Sequence, residues 1–244
     1  MAISDMTFNL TALADRLFAE HRLLPLAHKI RRARDLHSLS ADLAMAVESL
    51  DALDELLAAR GAAENFRNAI TESALLNFAL LLYGRATKTK SRERGDFDLW
   101  SRFTAEQRLA HKELCDLRDH AIAHFGSGGS YKGEWQAELV VLQMKNGDGK
   151  PGVTTRRKTL DRQLARRARL QIEAAHVLLR DLALKKLDEI TEELNRAAAA
   201  DPAFHIEIRR HPLNLEIFLA SVDAAQMALA AFDQGYAQGA VRHS

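Results

Sequence analysis

The sequence predicts an all-α protein: an antiparallel helical bundle with a β-hairpin inserted between a motif-bearing helix and a long closing helix. Three observations predict it. Alanine and leucine, interspersed with Arg, Glu and Asp, dominate over Val, Ile and Thr, so propensity favours helix over strand. Prolines number only 4, and most of the 12 glycines crowd between Gly84 and Gly152, which leaves long uninterrupted stretches at both ends. Within those stretches apolar residues recur at helical spacing, as in Leu43, Val47, Leu50, Leu53 and Leu57.

Taken in order, residues 1–38 form an N-terminal helical segment that Pro25 is expected to break. Residues 39–200 form the bundle. Its first helix spans Ser40 to Ala59 and is closed by Gly61; its second spans Asn65 to Tyr83 and ends at Gly84. Arg85 to Asp98 is polar and basic and predicts a mobile loop. Thr104 with Gln107 three residues on is a capping box, opening a third helix that runs to about Phe125 before Gly126, Gly128 and Gly129. The period then changes. Glu134–Gln143 and Val153–Thr159 are strand-prone around the turn residues Asn146-Gly147-Asp148-Gly149, which places a hairpin at about 134–160. Asp161 caps a long helix reaching Ala198, and residues 201–244 form a C-terminal extension with a helix from Leu213 to about Phe232.

Apolar residues at 47% and charged residues at 27% of 244 positions fit a folded globular chain and argue against disorder. A net charge of +1 gives no global signature, so a polyanionic partner must be met by a local patch. The one cysteine, Cys115, excludes an internal disulfide framework and a cysteine zinc site, and suits a reducing compartment. Asp5, Asp15 and Arg16 interrupt the N-terminus before a signal-like run forms, and the apolar run Phe78–Tyr83 is too short to span a bilayer. A soluble, cytoplasmic protein without membrane contact is expected.

Chemistry concentrates at the end of the third helix, in Asp116-Leu117-Arg118-Asp119-His120-Ala121-Ile122-Ala123-His124-Phe125-Gly126. At about 100° per residue, Leu114, Leu117, Ala121, His124 and Phe125 share one sector, with Arg118 at one margin and Asp116 and His120 near the other. His124 is a buried structural histidine if that stripe faces the core. If it faces a second subunit, His124 and Arg118 border a cleft between chains. Arg16 with His21, Arg22 with His28, Arg32 with His37 and Arg169 with His176 share the Arg–His spacing. What sets Arg118 apart is the Asp that follows it and the glycine-rich exit.

The string from Arg118 and Asp119 to His124 resembles the R-x4-6-H signature of the HEPN superfamily, over roughly Ser40 to Ala198. The resemblance implies a helical bundle acting as a homodimeric, metal-independent endoribonuclease without a cofactor, with Arg118, Asp119 and His124 at a composite cleft. It equally admits an inactive RNA-binding relative. It also implies a possible toxin or defence setting with an unidentified antitoxin-like partner, although Gly126 stands where one toxin subset has a tyrosine.

The chemistry suits those residue types. Cleavage of RNA by its own 2′-hydroxyl needs a proton carrier, which imidazole is near neutrality, and a fixed cation for the phosphorane, which guanidinium supplies. Asp119 is expected to orient either group. Arg156, Arg157, Lys158, Arg162 and Arg166, in the densest basic stretch, are the candidate RNA-backbone contacts. Two readings of another kind compete. Asp116, His120 and His124, spaced i, i+4, i+8, would suit a metal-dependent hydrolase, and a non-catalytic helical scaffold would use Arg118 and His124 only for packing and pairing.

Overall fold

The computed structural model describes residues 7–59, 66–88, 94–95, 97–122, 134–145, 148–158 and 160–231. Among these the chain is mostly helical: α1 (Leu10–Ala19), α2 (Leu24–Ala58), α3 (Phe66–Thr87), α4 (Ala105–Leu117), α5 (Arg162–Ala200), α6 (Phe204–Arg209), α7 (Leu215–Leu219) and α8 (Val222–Ala231). A short 3-10 turn at Trp100–Arg102 precedes α4, and a π-helical turn at Arg118–Ile122 follows it. Strands β1 (Gln136–Lys145) and β2 (Asp148–Arg157) form one antiparallel hairpin. No helix among the described residues is long and apolar enough to cross a membrane.

The chain divides into two compact units, one of residues 1–41 with 178–244 and one of residues 42–177. In the first, Leu13 and Leu17 of α1, Leu26 and Ile30 of α2, Ile190 of α5 and Phe204 of α6 make the core. The segments before α1 and after α6 pair: Asn9 N–H donates to His211 O at 2.7 Å and Leu213 N–H to Thr7 O at 2.9 Å. Pro25 breaks no helix. It sits in the first turn of α2, where its missing N–H has no intrahelical partner to lose, and the reversal from α1 is made by His21 and Leu23 at positive φ. The C-terminal helix expected over Leu213–Phe232 is likewise two pieces, α7 and α8, parted where Ala220 adopts the left-handed conformation.

In the second unit, Leu43, Leu50 and Leu53 of α2, Leu76 and Leu80 of α3, Leu114 and Leu117 of α4, and Leu164 and Ile172 of α5 are buried. Helix α3 passes through Gly84 to Thr87 instead of stopping at Gly84. Glu72 of α3 is buried. The first residues of the loop expected over Arg85–Asp98 belong to α3, where Arg85 donates to Asp42 at 2.5 and 2.9 Å, and Arg94 beyond the helix donates to the same carboxylate at 2.8 Å. The capping box is present, with Gln107 N–H donating to Thr104 Oγ1 at 3.2 Å and Thr104 N–H to Gln107 Oε1 at 2.9 Å. Asp161 Oδ1 accepts from Leu164 N–H at 2.9 Å, as its place before α5 predicts.

Candidate functional site

The motif begins where α4 ends. Leu114, Cys115 and Leu117 anchor the last turn of α4 in the core, and the chain then widens into the π-helical turn that carries Arg118, Asp119 and His120. Such a turn shifts the side chains beyond it relative to a regular α-helix. Arg118 lies against α3 at Gly84: a methyl group on that glycine would fall 2.6 Å from Nη1 and closer still to Cδ. With a methyl group there, the end of the Arg118 side chain would have to shift.

The Arg118 side chain is 19% exposed, and its guanidinium reaches Asp119 Oδ1 through Nε at 2.7 Å and Nη2 at 2.5 Å. Lys88, at the end of α3, holds the other carboxylate oxygen, Oδ2. Burial pushes the Asp119 carboxyl up, but hydrogen bonds from Lys88 and Arg118 outweigh it and hold the group below its ordinary range. Arg118 and Lys88 thus share one carboxylate, Asp119, and Arg85 and Arg94 share another, Asp42.

Directly beneath lies a polar network that the sequence reading missed. Gln171 of α5 donates to the Tyr83 hydroxyl of α3 at 3.0 Å, and that hydroxyl faces His111 Nδ1 of α4 at 2.7 Å. Burial and then the nearby Lys88 charge lower the His111 pKa, which favours the neutral ring with Nδ1 accepting from Tyr83. Burial raises the Tyr83 phenol and pushes the Cys115 thiol up to about 11, so Cys115 is a thiol, 3.7 Å from the His111 ring, and no nucleophile. No spacing rule links residues 83, 111 and 171. Only the helix packing brings them together.

His124, the expected proton carrier, lies outside the described residues. Of the metal-site reading, His120 Nδ1 sits 2.9 Å from Asp116 Oδ1, a hydrogen-bonded pair in which that nitrogen faces a carboxylate. Among the described residues no group of three His, Cys, Asp or Glu is placed to hold a metal ion.

The basic stretch is divided by strand alternation. Arg156 pairs opposite Ala137 and Arg157 opposite Gln136, so the two arginines point to opposite faces of the hairpin. Arg157 donates to Gln136 Oε1 at 2.6 Å and pairs with Glu138 at 2.6 Å. Lys158 is held between Glu134 at 2.7 Å and Asp161 at 3.0 Å, above the buried Trp135 ring. Arg162 and Arg166, one turn apart on α5, line a groove of about 390 Å³ with Leu53, Asp54 and Leu57 of α2. Next to them Arg169 is held by Asp51 at 2.6 Å and Asp54 at 2.9 Å. Comparison of the chain with models of known families, with curated proteins and with solved structures found no match.

Proposed function

We propose that residues 42–177 form the core of a HEPN-like helical bundle that works as a homodimeric, metal-independent endoribonuclease, or as its RNA-binding relative. The observation that carries this reading is the Arg118 guanidinium, packed beside Gly84 and held by Asp119, whose other carboxylate oxygen meets Lys88. In this reading Arg118 engages a non-bridging phosphate oxygen and takes up the charge of the phosphorane. His124 moves the proton of the 2′-hydroxyl or of the leaving oxygen. Asp119 positions the guanidinium, Lys88 adds a second cation, and Arg162 and Arg166 hold the RNA backbone. The Arg118–Asp119 pair also favours a second reading, a non-catalytic helical scaffold in which that carboxylate simply neutralises the arginine.

RNA cleavage in excess EDTA decides between them. Arg118→Ala and His124→Ala are each expected to lower the rate by about 10²–10⁴-fold with the circular dichroism unchanged. Gly84→Ala is expected to displace Arg118 and lower the rate while the helix gains about 0.5–1 kcal/mol of propensity. Cleavage unaffected by Arg118→Ala and His124→Ala overturns the ribonuclease.

A further inference from the structure

The two tryptophans are placed differently. Trp135 is buried, whereas Trp100, in the 3-10 turn before α4, is 48% exposed. The backbone of that turn is anchored from both sides. Leu99 and Phe103 on either flank are buried, and Ser101 N–H donates to Asp98 Oδ1 at 3.2 Å. Arg108 of α4 donates through Nε to Trp100 O at 3.0 Å and through Nη2 to Ser101 O at 3.4 Å. A fixed backbone therefore holds half of a large indole in solvent, where burial would ordinarily claim it. The ring meets that of His111 edge to face, with 5.8 Å between centroids, and the Arg108 guanidinium lies 5.7 Å from the indole centroid. Among the described residues no carboxylate pairs with Arg108, whose hydrogen bonds go to the two carbonyl oxygens. Trp100 also stands near the motif turn. His111, which it touches, lies 3.7 Å from Cys115 Sγ and feels the charge of Lys88, and Lys88 shares Asp119 with Arg118.

We infer that Trp100 is a stacking platform for an unpaired base of the RNA whose phosphate Arg118 engages. A nucleotide couples a flat aromatic base to an anionic phosphate. Here an exposed indole stands beside the Arg108 guanidinium and one histidine away from the group of Lys88, Asp119 and Arg118. Stacking on the indole needs an open base face, which a duplex covers with the neighbouring pairs, so the occupant is single-stranded. Every base has such a face, and the platform therefore adds affinity with little preference for sequence. Trp135 cannot share the role, because its ring is buried beneath Lys158. Such a platform presupposes the RNA partner proposed above and adds the state in which it binds.

Tryptophan fluorescence of the full chain tests it, since a base stacked on an indole quenches the emission. The probe is a short 2′-O-methyl oligoadenylate, which lacks the attacking 2′-hydroxyl and so stays whole, with its binding followed by the anisotropy of a labelled strand. It is expected to quench the wild-type protein and to leave Trp100→Phe, whose emission comes from Trp135, unquenched. The same strand annealed to its complement is expected to quench far less. Trp100→Ala is expected to raise the dissociation constant of the single strand about five- to hundredfold, the range of one base–aromatic stack, with Trp100→Phe in between. Wild-type emission unchanged as the strand binds, an affinity indifferent to Trp100→Ala, or equal quenching by the duplex overturns the platform; if RNA cleavage still needs His124, the ribonuclease stands without it. Quenching in a chain that cuts no RNA supports the platform and overturns the ribonuclease, leaving the RNA-binding relative. A strand that does not bind, with RNA left uncut, overturns both.

Discussion

Leu80 and Leu142 belong to the same compact unit, yet Leu80 has no accessible surface and Leu142 has 63% of its own. Around Leu80, α3, α4 and α5 close over apolar side chains and over the single hydroxyl that joins Gln171 to His111. Around Leu142, an equally apolar run has only its hairpin partner strand. The contrast teaches that apolar patterning specifies which surface needs covering, while the packing of other elements decides whether the chain covers it itself.

The contrast is broken most severely from the inside. Leu80→Ala is expected to cost about 2–5 kcal/mol in urea denaturation, against less than about 0.5 kcal/mol for Leu142→Ala, because only the first leaves a cavity. Equal losses would mean that the hairpin face is buried in solution. Next comes Tyr83→Phe, which leaves Gln171 Nε2 and His111 Nδ1 without the hydroxyl between them and is expected to cost about 1–3 kcal/mol.

The smallest effect is on pH dependence. The His111 pKa is lowered by burial and by Lys88, so its folded value lies below the 6.5 of the unfolded chain. Below pH 6.5 the unfolded state binds the extra proton first. The stability that neutral His111 contributes is therefore whole above pH 6.5 and is lost as the pH falls through the lowered folded value. His111→Gln is expected to flatten that slope, measured as urea midpoints from pH 7.5 to 5. An unchanged slope would assign the acid sensitivity to His37, which burial shifts in the same direction.

Legibility followed range. The hairpin forms, but β2 spans Asp148–Arg157 where the residues predict a strand over Val153–Thr159, because Asp148 and Gly149 pair with Lys145 and Met144 instead of turning. The Thr104–Gln107 capping box and the Asp161 cap stand in the structure as their residues predict, since each depends on neighbours a few positions away. Gly84 misled for the opposite reason: it marks the close approach of Arg118, thirty-odd residues on, and not a helix end. Asp119 was one of several partners the string allowed Arg118, while the motif itself was readable as a string. Its support by Lys88 was not, nor was the network of Tyr83, His111 and Gln171.

By itself, the sequence determined the helical class, the caps, the hairpin and the candidate motif, because propensity, capping and turn chemistry are settled within a few residues of the backbone. Tertiary structure alone decided that Arg156 and Arg157 face opposite ways, that α1 and α6 share one core, and that Lys88 meets Asp119 where α3 approaches the motif turn. Those outcomes depend on strand register and helix contacts between residues far apart in the chain, and no local pattern encodes which distant side chain will arrive.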